Sequence, residues 1–443
     1  MKTNAISQKF NTAKLLKFAL PTIIMMGFLS TYTAVDGAFV SNLITEDALS
    51  AVNIVMPLIG IFCAVGLMLS TGANAIIAMN MGEGKFKEGR SFFSLIYIVG
   101  AVLGIIISLF CFFFEESVLG WLGCTPRLHD YARDYMRVLA VFAPMNFMQM
   151  FAQTFFVTAG KPRIGLIVTI LGGLANVVLD YVFIAIFNMG IGGAALATGI
   201  GYSIPGIFGI VYFCVKKNES LHFGKPVWTG KKLLSGCFNG SSEFIGNLAF
   251  AITTLMFNLA MLKYVGENGV AAITIILYVQ FIQSAIYCGY SMGIAPIISY
   301  KHGAGDTVQL KKIIKISVRF ILICSGIVII LSILGANLAV GIFVRPESEV
   351  YAMAKKGFII FSTSYIFMGI NIFMSAMFTA FGNGKVSAIL SFLRTLLFLV
   401  GSLVILPIFL GVDGIWLAVP VAEAMAFVLS VFYYKRYKKI YKY

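Results

Sequence analysis

Asp180 is a carboxylate set inside an apolar run that extends from 164 to 187. Asn176 precedes it by four residues, so the two polar groups share one helix face. A charge at bilayer depth costs roughly 2.5–3.5 kcal/mol on insertion scales, and a chain that keeps one there commonly uses it for an ion, a proton or a substrate. Asp36 repeats the situation in the first apolar run, and the two carboxylates point to ion-coupled transport. Thr198, in the run that follows Asp180, adds a hydroxyl, and Ala194 shares its helix face and offers a carbonyl. Asp180 and Thr198 lie on either side of a tight turn at Gly190. Both are therefore roughly 12–15 Å from it, and Asp36 is about 9 Å in from the same end. This oxygen set suits a hard cation such as Na⁺. Two close carboxylates in a poorly hydrated pocket equally suit H⁺. The residues leave the choice of ion open. A plainer alternative, in which Asp180 and Asn176 only bond neighbouring helices, also stays open.

Glu243, Arg394 and Glu423 are a second group of charges inside apolar runs. An unpaired arginine at that depth is costly, so either Glu423 or Glu243 is expected to partner Arg394. Their role is either structural pairing or a part in coupling and substrate binding. Pro21 shares the first run with Asp36 and marks a bend that can respond to the charge state of Asp36. Phe147, Met148, Phe151, Phe281 and Met374 are candidates to line a cleft for flat, apolar or cationic ligands, with helix packing or lipid contact as the alternative.

The elements that must position these residues follow from composition. Of 443 residues, 59% are hydrophobic and only 12% charged, and the mean hydropathy is +0.93. This is the composition of an all-α polytopic membrane protein. Apolar runs fall near 18–40, 51–79, 91–114, 135–158, 164–187, 192–215, 240–262, 270–299, 314–343, 356–381, 386–410 and 414–434, about twelve transmembrane helices. The first run continues past Asp36 without a small-residue cleavage site and reads as a spanning helix.

The net charge of +15 does not imply nucleic acid. Lys and Arg gather in alternate connections, whereas Glu46, Asp47, Glu115, Glu116 and Asp413 mark the opposite side, with Lys355 and Lys356 as exceptions. This asymmetry predicts that both termini are cytoplasmic. The seven cysteines form no CxxC pair and the three histidines lie far apart, so no metal site is expected beyond a possible Na⁺. Phosphate-loop and HExxH motifs are absent, which argues against an enzyme, an ATP-driven pump or a cofactor.

Ser70, Gly72, Gly82 and Gly84 recur as Ser291, Gly293, Gly303 and Gly305, a fixed offset of 221 that also relates Gly190 to Gly411. The chain therefore reads as two parallel six-helix lobes, 1–217 and 233–443, joined by a basic cytoplasmic linker, 218–232. At this offset Asp36, Asn176, Asp180 and Thr198 face Phe257, Leu397, Gly401 and Val419. The four polar residues do not recur, so the fold does not need them.

The stretches LKFALPTII, SNLITEDALSAVNI, GANAIIAMNMGEGK, TAGKPRIGLIVTILGGLANVVLDYVFI and GIGGAALATGIG resemble the multidrug and toxic compound extrusion (MATE) family, most closely its MepA-type bacterial branch. The resemblance covers essentially the whole chain. It implies two six-helix lobes around a V-shaped cleft, in a monomer of the bacterial inner membrane. It also implies export of organic cations and drugs driven by inward H⁺ or Na⁺. The family's first-lobe ion site matches Asp36, Asn176, Asp180, Thr198 and the Ala194 carbonyl, and Pro21 matches its bending proline. Glu243 is a possible counterpart of second-lobe acidic residues found in some branches, while Arg394 has no counterpart. Flippases for lipid-linked sugars share this architecture and are the alternative. They are expected to carry more basic cleft residues than the lone Arg394. A major-facilitator porter is disfavoured, because MGEGKFKEGR stands where its loop signature belongs.

Overall fold

A computed structural model describes the backbone of residues 4–43 and 45–443 and the side chains of 4–32, 45 and 47–443. The first eight helices are α1 (Thr12–Leu43), α2 (Glu46–Gly82), α3 (Phe86–Phe113), α4 (Glu115–Trp121), α5 (His129–Val141), α6 (Ala143–Thr158), α7 (Pro162–Asp180) and α8 (Gly190–Val215). They are followed by α9 (Gly230–Asn239), α10 (Ser241–Tyr264), α11 (Glu267–Gly303), α12 (Thr307–Leu334), α13 (Ala336–Gly341) and α14 (Glu349–Ser362). The last are α15 (Tyr365–Ala380), α16 (Gly384–Phe392), α17 (Leu399–Leu410) and α18 (Val412–Tyr441). Single π-helical turns, Tyr181–Ile186 and Leu393–Phe398, continue α7 and join α16 to α17.

Among the described residues, ten helices are long and apolar enough to span a membrane, and counting two bent pairs as spans gives twelve. Both pairs correct a sequence expectation, since 135–158 and 356–381 read as single helices. The α5–α6 and α14–α15 pairs each bend by 54°. Pro144 starts the new helix in the first case. In the second, the Ser362 and Thr363 hydroxyls donate to the Phe358 and Ile360 carbonyls at 2.6 and 2.7 Å, which loosens the backbone ladder at the break.

The two lobes repeat helix by helix. α2 and α11 differ by 221 at both ends, and so do α3 and α12. Left-handed glycines end matching helices, Gly84 and Gly305 at φ 78° and 67°, Gly160 and Gly382 at 75° and 73°. The latter pair shows that the offset steps to 222 before α7 and α16. Phe398 and Ser402 therefore stand opposite Asn176 and Asp180, in place of Leu397 and Gly401. Neither repeats the amide or the carboxylate.

The lobes meet at the end that carries the basic loops. A Cβ on Gly82 would overlap the Tyr300 carbonyl, and one on Gly303 would overlap the Met79 carbonyl, two contacts related by the repeat. Bare backbone is what lets α2 and α11 cross so closely. Buried clusters at this end mix both lobes, with Leu15, Phe18 and Val157 packed among Tyr290, Ile294 and Phe378. The clusters at the other end do not mix, one lying within residues 48–195 and one within 257–419. There Glu115 takes Arg137 at 2.5 Å, Asp47 takes Arg127 at 2.9 Å and Asp413 takes Lys356 at 2.6 Å. Arg127 and Arg137 thus join the lysine exceptions on the acidic side, each neutralised by a carboxylate.

Residues before α1 form a strap across the closed end. The Asn4 amide donates to the Thr158 carbonyl and to Ser220 Oγ, each at 2.9 Å. Farther along, the Ser7 carbonyl accepts from buried Lys301 Nζ at 2.9 Å and the Phe10 N–H donates to Gln309 Oε1 at 2.9 Å. Ile6 and Phe10 are buried between these anchors. The segment after α8 is also docked, with Gly224 N–H on Ser94 Oγ at 2.9 Å and Phe223 against Phe93 and Tyr97.

Candidate functional site

In the first lobe, missing side chains bring the polar ones together. Gly172 on α7 faces the Gly201 carbonyl and Pro205 of α8, so closely that a Cβ would fall 2.7 Å from that oxygen. Gly201 in turn lies against Asn176. This crossing, one turn from Asn176 and three residues from Thr198, presses the two polar residues face to face. Gly173 receives the Phe28 ring of α1, and Phe28 stacks on Tyr32 with centroids 6.2 Å apart. Tyr32 is thereby carried to the same place.

The result is a compact oxygen-rich cluster. With its nitrogen toward α1, the Asn176 amide donates to Tyr32 Oη at 3.1 Å and to Asp180 Oδ2 at 3.3 Å, and its oxygen accepts from the Thr198 N–H at 3.0 Å. The Thr198 hydroxyl donates to the Ala194 carbonyl at 3.0 Å. Asn176 and Asp180 are fully buried, and Ala194 and Thr198 nearly so. Asp180 is the last α-helical residue before a π turn, a rare element that re-aims the following residues and is frequent at functional sites. The structure thus brings Asn176, Asp180, Ala194 and Thr198 together. The Asp36 side chain lies outside the described residues, although its helix passes the cluster at Tyr32. Pro21 sits inside α1, buried where that helix crosses Gly289 and Gly293 of α11.

The second lobe gathers Glu243, Arg394 and Glu423 around a cavity of about 340 Å³ between α10, α11, α15, α18 and the second π turn. Arg394 Nε pairs with Glu423 Oε1 at 3.1 Å. Glu423 Oε2 accepts from the Asn371 amide at 2.7 Å, and Asn371 is fixed in turn by Ser430 Oγ at 2.9 Å. Glu243 lines the same cavity but makes no ion pair with Arg394.

Comparison with known proteins fits this duplicated plan. The sequence model of the MatE family matches residues 21–182 and again residues 244–404, one match per lobe. The chain belongs to the MatE family. Among curated relatives it is 24% identical to the multidrug export protein MepA of Staphylococcus saprophyticus, over 91% of this chain and 87% of the relative. It is also 24% identical to MepA of Staphylococcus haemolyticus, over 94% of this chain and 92% of the relative. Among solved structures, an outward-facing multidrug resistance MATE transporter superposes with a TM-score of 0.92 at 21% identity, covering 100% of this chain and 99% of the other. A MATE transporter in its straight conformation gives 0.93 at 20% identity, covering both chains fully.

Within this MatE chain, the aromatic and methionine candidates separate. Phe147, Met148, Phe151 and Met374 are buried in helix-packing clusters, where Phe151 fills the space left by Gly100. Phe281 alone among the five borders the second-lobe cavity. Phe147, Met148 and Phe151, at helical spacing on α6, were destined for a core by their size and by facing glycines that only tertiary structure reveals. Sequence reasoning missed Tyr32 and Asn371. Tyr32 stands four residues before Asp36, on the same face of α1, and that spacing is the signal that points to it. Groups of three or more His, Cys, Asp or Glu able to hold a metal are absent among the described residues.

Proposed function

We propose that this MatE protein is a secondary antiporter that exports organic cations and drugs across the plasma membrane in exchange for H⁺ or Na⁺. The observation that carries the reading is Asp180, fully buried in lipid-spanning helices yet bound to Asn176 beside Thr198 and Tyr32. A carboxylate kept at that depth with neutral oxygen partners holds a cation or a proton more naturally than it holds a helix together. Asp36 on α1 completes the set, and Pro21 gives α1 a place to bend.

Lobes joined at one end and independent at the other support alternation by rocking about the closed end. In this reading 1–217 and 233–443 are the two lobes and 218–232 is the linker. The closed end and both termini face the cytoplasm, and one chain suffices. The curated relatives favour drug export over lipid-linked sugars. Arg394, which lines the second-lobe cavity and is already paired with Glu423, supplies little charge for a pyrophosphate.

The test is export of a fluorescent organic cation from proteoliposomes under a Na⁺ gradient and, separately, a pH gradient. Export is expected under at least one gradient and is expected to fall to the leak rate in both Asp36→Asn and Asp180→Asn, with membrane insertion unchanged. Full gradient-driven export by both variants would sink the assignment.

A further inference from the structure

The second-lobe cavity holds two opposite charges with open valences. Glu423 is held on both sides, one carboxylate oxygen 3.1 Å from Arg394 Nε as an ion pair without a hydrogen bond and the other accepting from Asn371 at 2.7 Å. Its contact occupies only one edge of the guanidinium. Among the described residues, the two terminal nitrogens of Arg394 have no hydrogen-bond partner, and the side chain lines the cavity. A guanidinium fork is shaped for two parallel bonds to a carboxylate. The Glu243 carboxylate faces the same cavity and likewise has no side-chain partner among the described residues.

Left alone, each open group is costly in a poorly hydrated interior. The two attract each other electrostatically but form no direct ion pair, and the direct contact of Arg394 is with Glu423. Between them lies a cavity of about 340 Å³, edged by Phe250 and Phe281. That volume is in the range that takes a small organic ligand. We propose that this cavity binds small aromatic zwitterions, with the ligand's ammonium on Glu243, its carboxylate on the Arg394 fork and its ring against Phe250 and Phe281. Glu423 and Asn371 are positioning residues that aim the guanidinium. The proposal deepens the export reading by naming a substrate class and rests on that reading for its physiological meaning.

The site is tested by equilibrium binding to the full-length protein in nanodiscs, without any gradient. The probes are aminomethylnaphthoic acid, its methyl ester (cation only) and its N-acetyl derivative (anion only). A charged hydrogen bond is worth about 1.5–3 kcal/mol, or roughly 10- to 100-fold in affinity. The zwitterion is expected to bind at least about 10-fold more tightly than either derivative. Arg394→Gln is expected to erase the preference over the ester while leaving ester binding in place. Glu243→Gln is expected to weaken zwitterion and ester and spare the anion. The double variant Arg394→Gln with Glu423→Gln, which removes both members of the pair, is expected to behave like Arg394→Gln and guards against misfolding of the single variant. Equal binding of zwitterion and ester by the unaltered protein would overturn the proposal, and so would a preference that survives loss of Arg394. Gradient-driven export is measured on the same purified proteins reconstituted in proteoliposomes. Preference without export leaves the site standing and removes the antiporter reading, whereas export without preference does the reverse.

Discussion

The two lobes share a helical plan down to the glycines that end matching helices, yet their buried chemistry differs. In the first lobe, α1, α7 and α8 close around Asp180, Asn176, Thr198 and Tyr32 with neutral oxygen and amide partners. At the equivalent level of the second lobe, Phe398 and Ser402 stand where Asn176 and Asp180 would be. There the charges are Arg394, Glu423 and Glu243 around an open cavity. Each lobe sets a charged residue at a π turn, Asp180 just before one and Arg394 inside the other. What recurs is backbone geometry, which both lobes need in order to fold. What does not recur is the set of groups that would face an ion or a ligand. Duplication supplied two similar frames, and each frame now serves different chemistry.

The sharpest way to break this comparison is through the Arg394–Glu423 pair. Both side chains are largely buried, at 19% and 7% exposure, so the pair is only weakly screened. Glu423→Gln strands the guanidinium and is expected to cost about 3–5 kcal/mol of stability. The double variant with Arg394→Gln should recover much of that loss, because it removes both members of the pair. Thermal unfolding in detergent reads both. Equal melting of the single and double variants would mean that Arg394 finds another partner, which would blur the distinction between the lobes. Asp180 is held by the neutral Asn176 amide, so Asp180→Asn is expected to remove coupling with far less effect on melting.

A smaller effect sharpens the contrast at the level of packing. Gly172→Ala places a methyl group against the Gly201 carbonyl and Pro205, and Gly201→Ala pushes on Asn176 at 3.0 Å. Each is expected to cost about 1–3 kcal/mol by overpacking, and to weaken ion-driven export more than an equally destabilising change elsewhere. Gly401 in α17 has open space where a Cβ would go. Gly401→Ala is therefore expected to be neutral or stabilising, by up to about 1 kcal/mol. Identical export by all three variants would mean that the α7–α8 crossing does not set the geometry of Asn176 and Thr198.

Much of this was legible in the sequence, for physical reasons that also mark the limit. Apolar runs of spanning length, basic connections and a fixed offset are one-dimensional signals, and they gave the helices and the duplication. Asn176 with Asp180, and Ala194 with Thr198, were legible because helical spacing puts each pair on one face. The breaks after Val141 and Ser362 were hidden, since a bent span has the same hydropathy as a straight one. The step in offset from 221 to 222 was hidden because one added residue in a loop barely alters a pattern of apolar matches. The choice of Glu423 over Glu243 for Arg394 was undecidable, because both carboxylates stand on helices that reach the same cavity. The core placement of Phe147, Met148 and Phe151 depends on which glycine faces which ring, and sequence spacing within one helix carries no record of its neighbours.

The last and smallest expected effect concerns what makes the two lobes act together. The strap from Asn4 to Phe10 is anchored to the first lobe through Thr158 and to the second through Lys301 and Gln309. If the closed end opens during transport, these anchors must part, and their strength sets part of the cost. Asn4→Ala removes three buried hydrogen bonds, to the Thr158 carbonyl, to Ser220 Oγ and from the Ile6 N–H, each worth about 0.5–1.5 kcal/mol. Amide exchange in the strap, at Ile6 and Phe10, is then expected to rise by roughly 10-fold. The informative readout is the pair of helix ends at 79–84 and 300–305, where α2 crosses α11 with no side chain of Asn4 nearby in sequence. Faster exchange there as well would show that the strap holds the lobes against each other. Faster exchange in the strap alone would leave the lobes clasped by the α2–α11 crossing and by α1 against α11, without help from the strap.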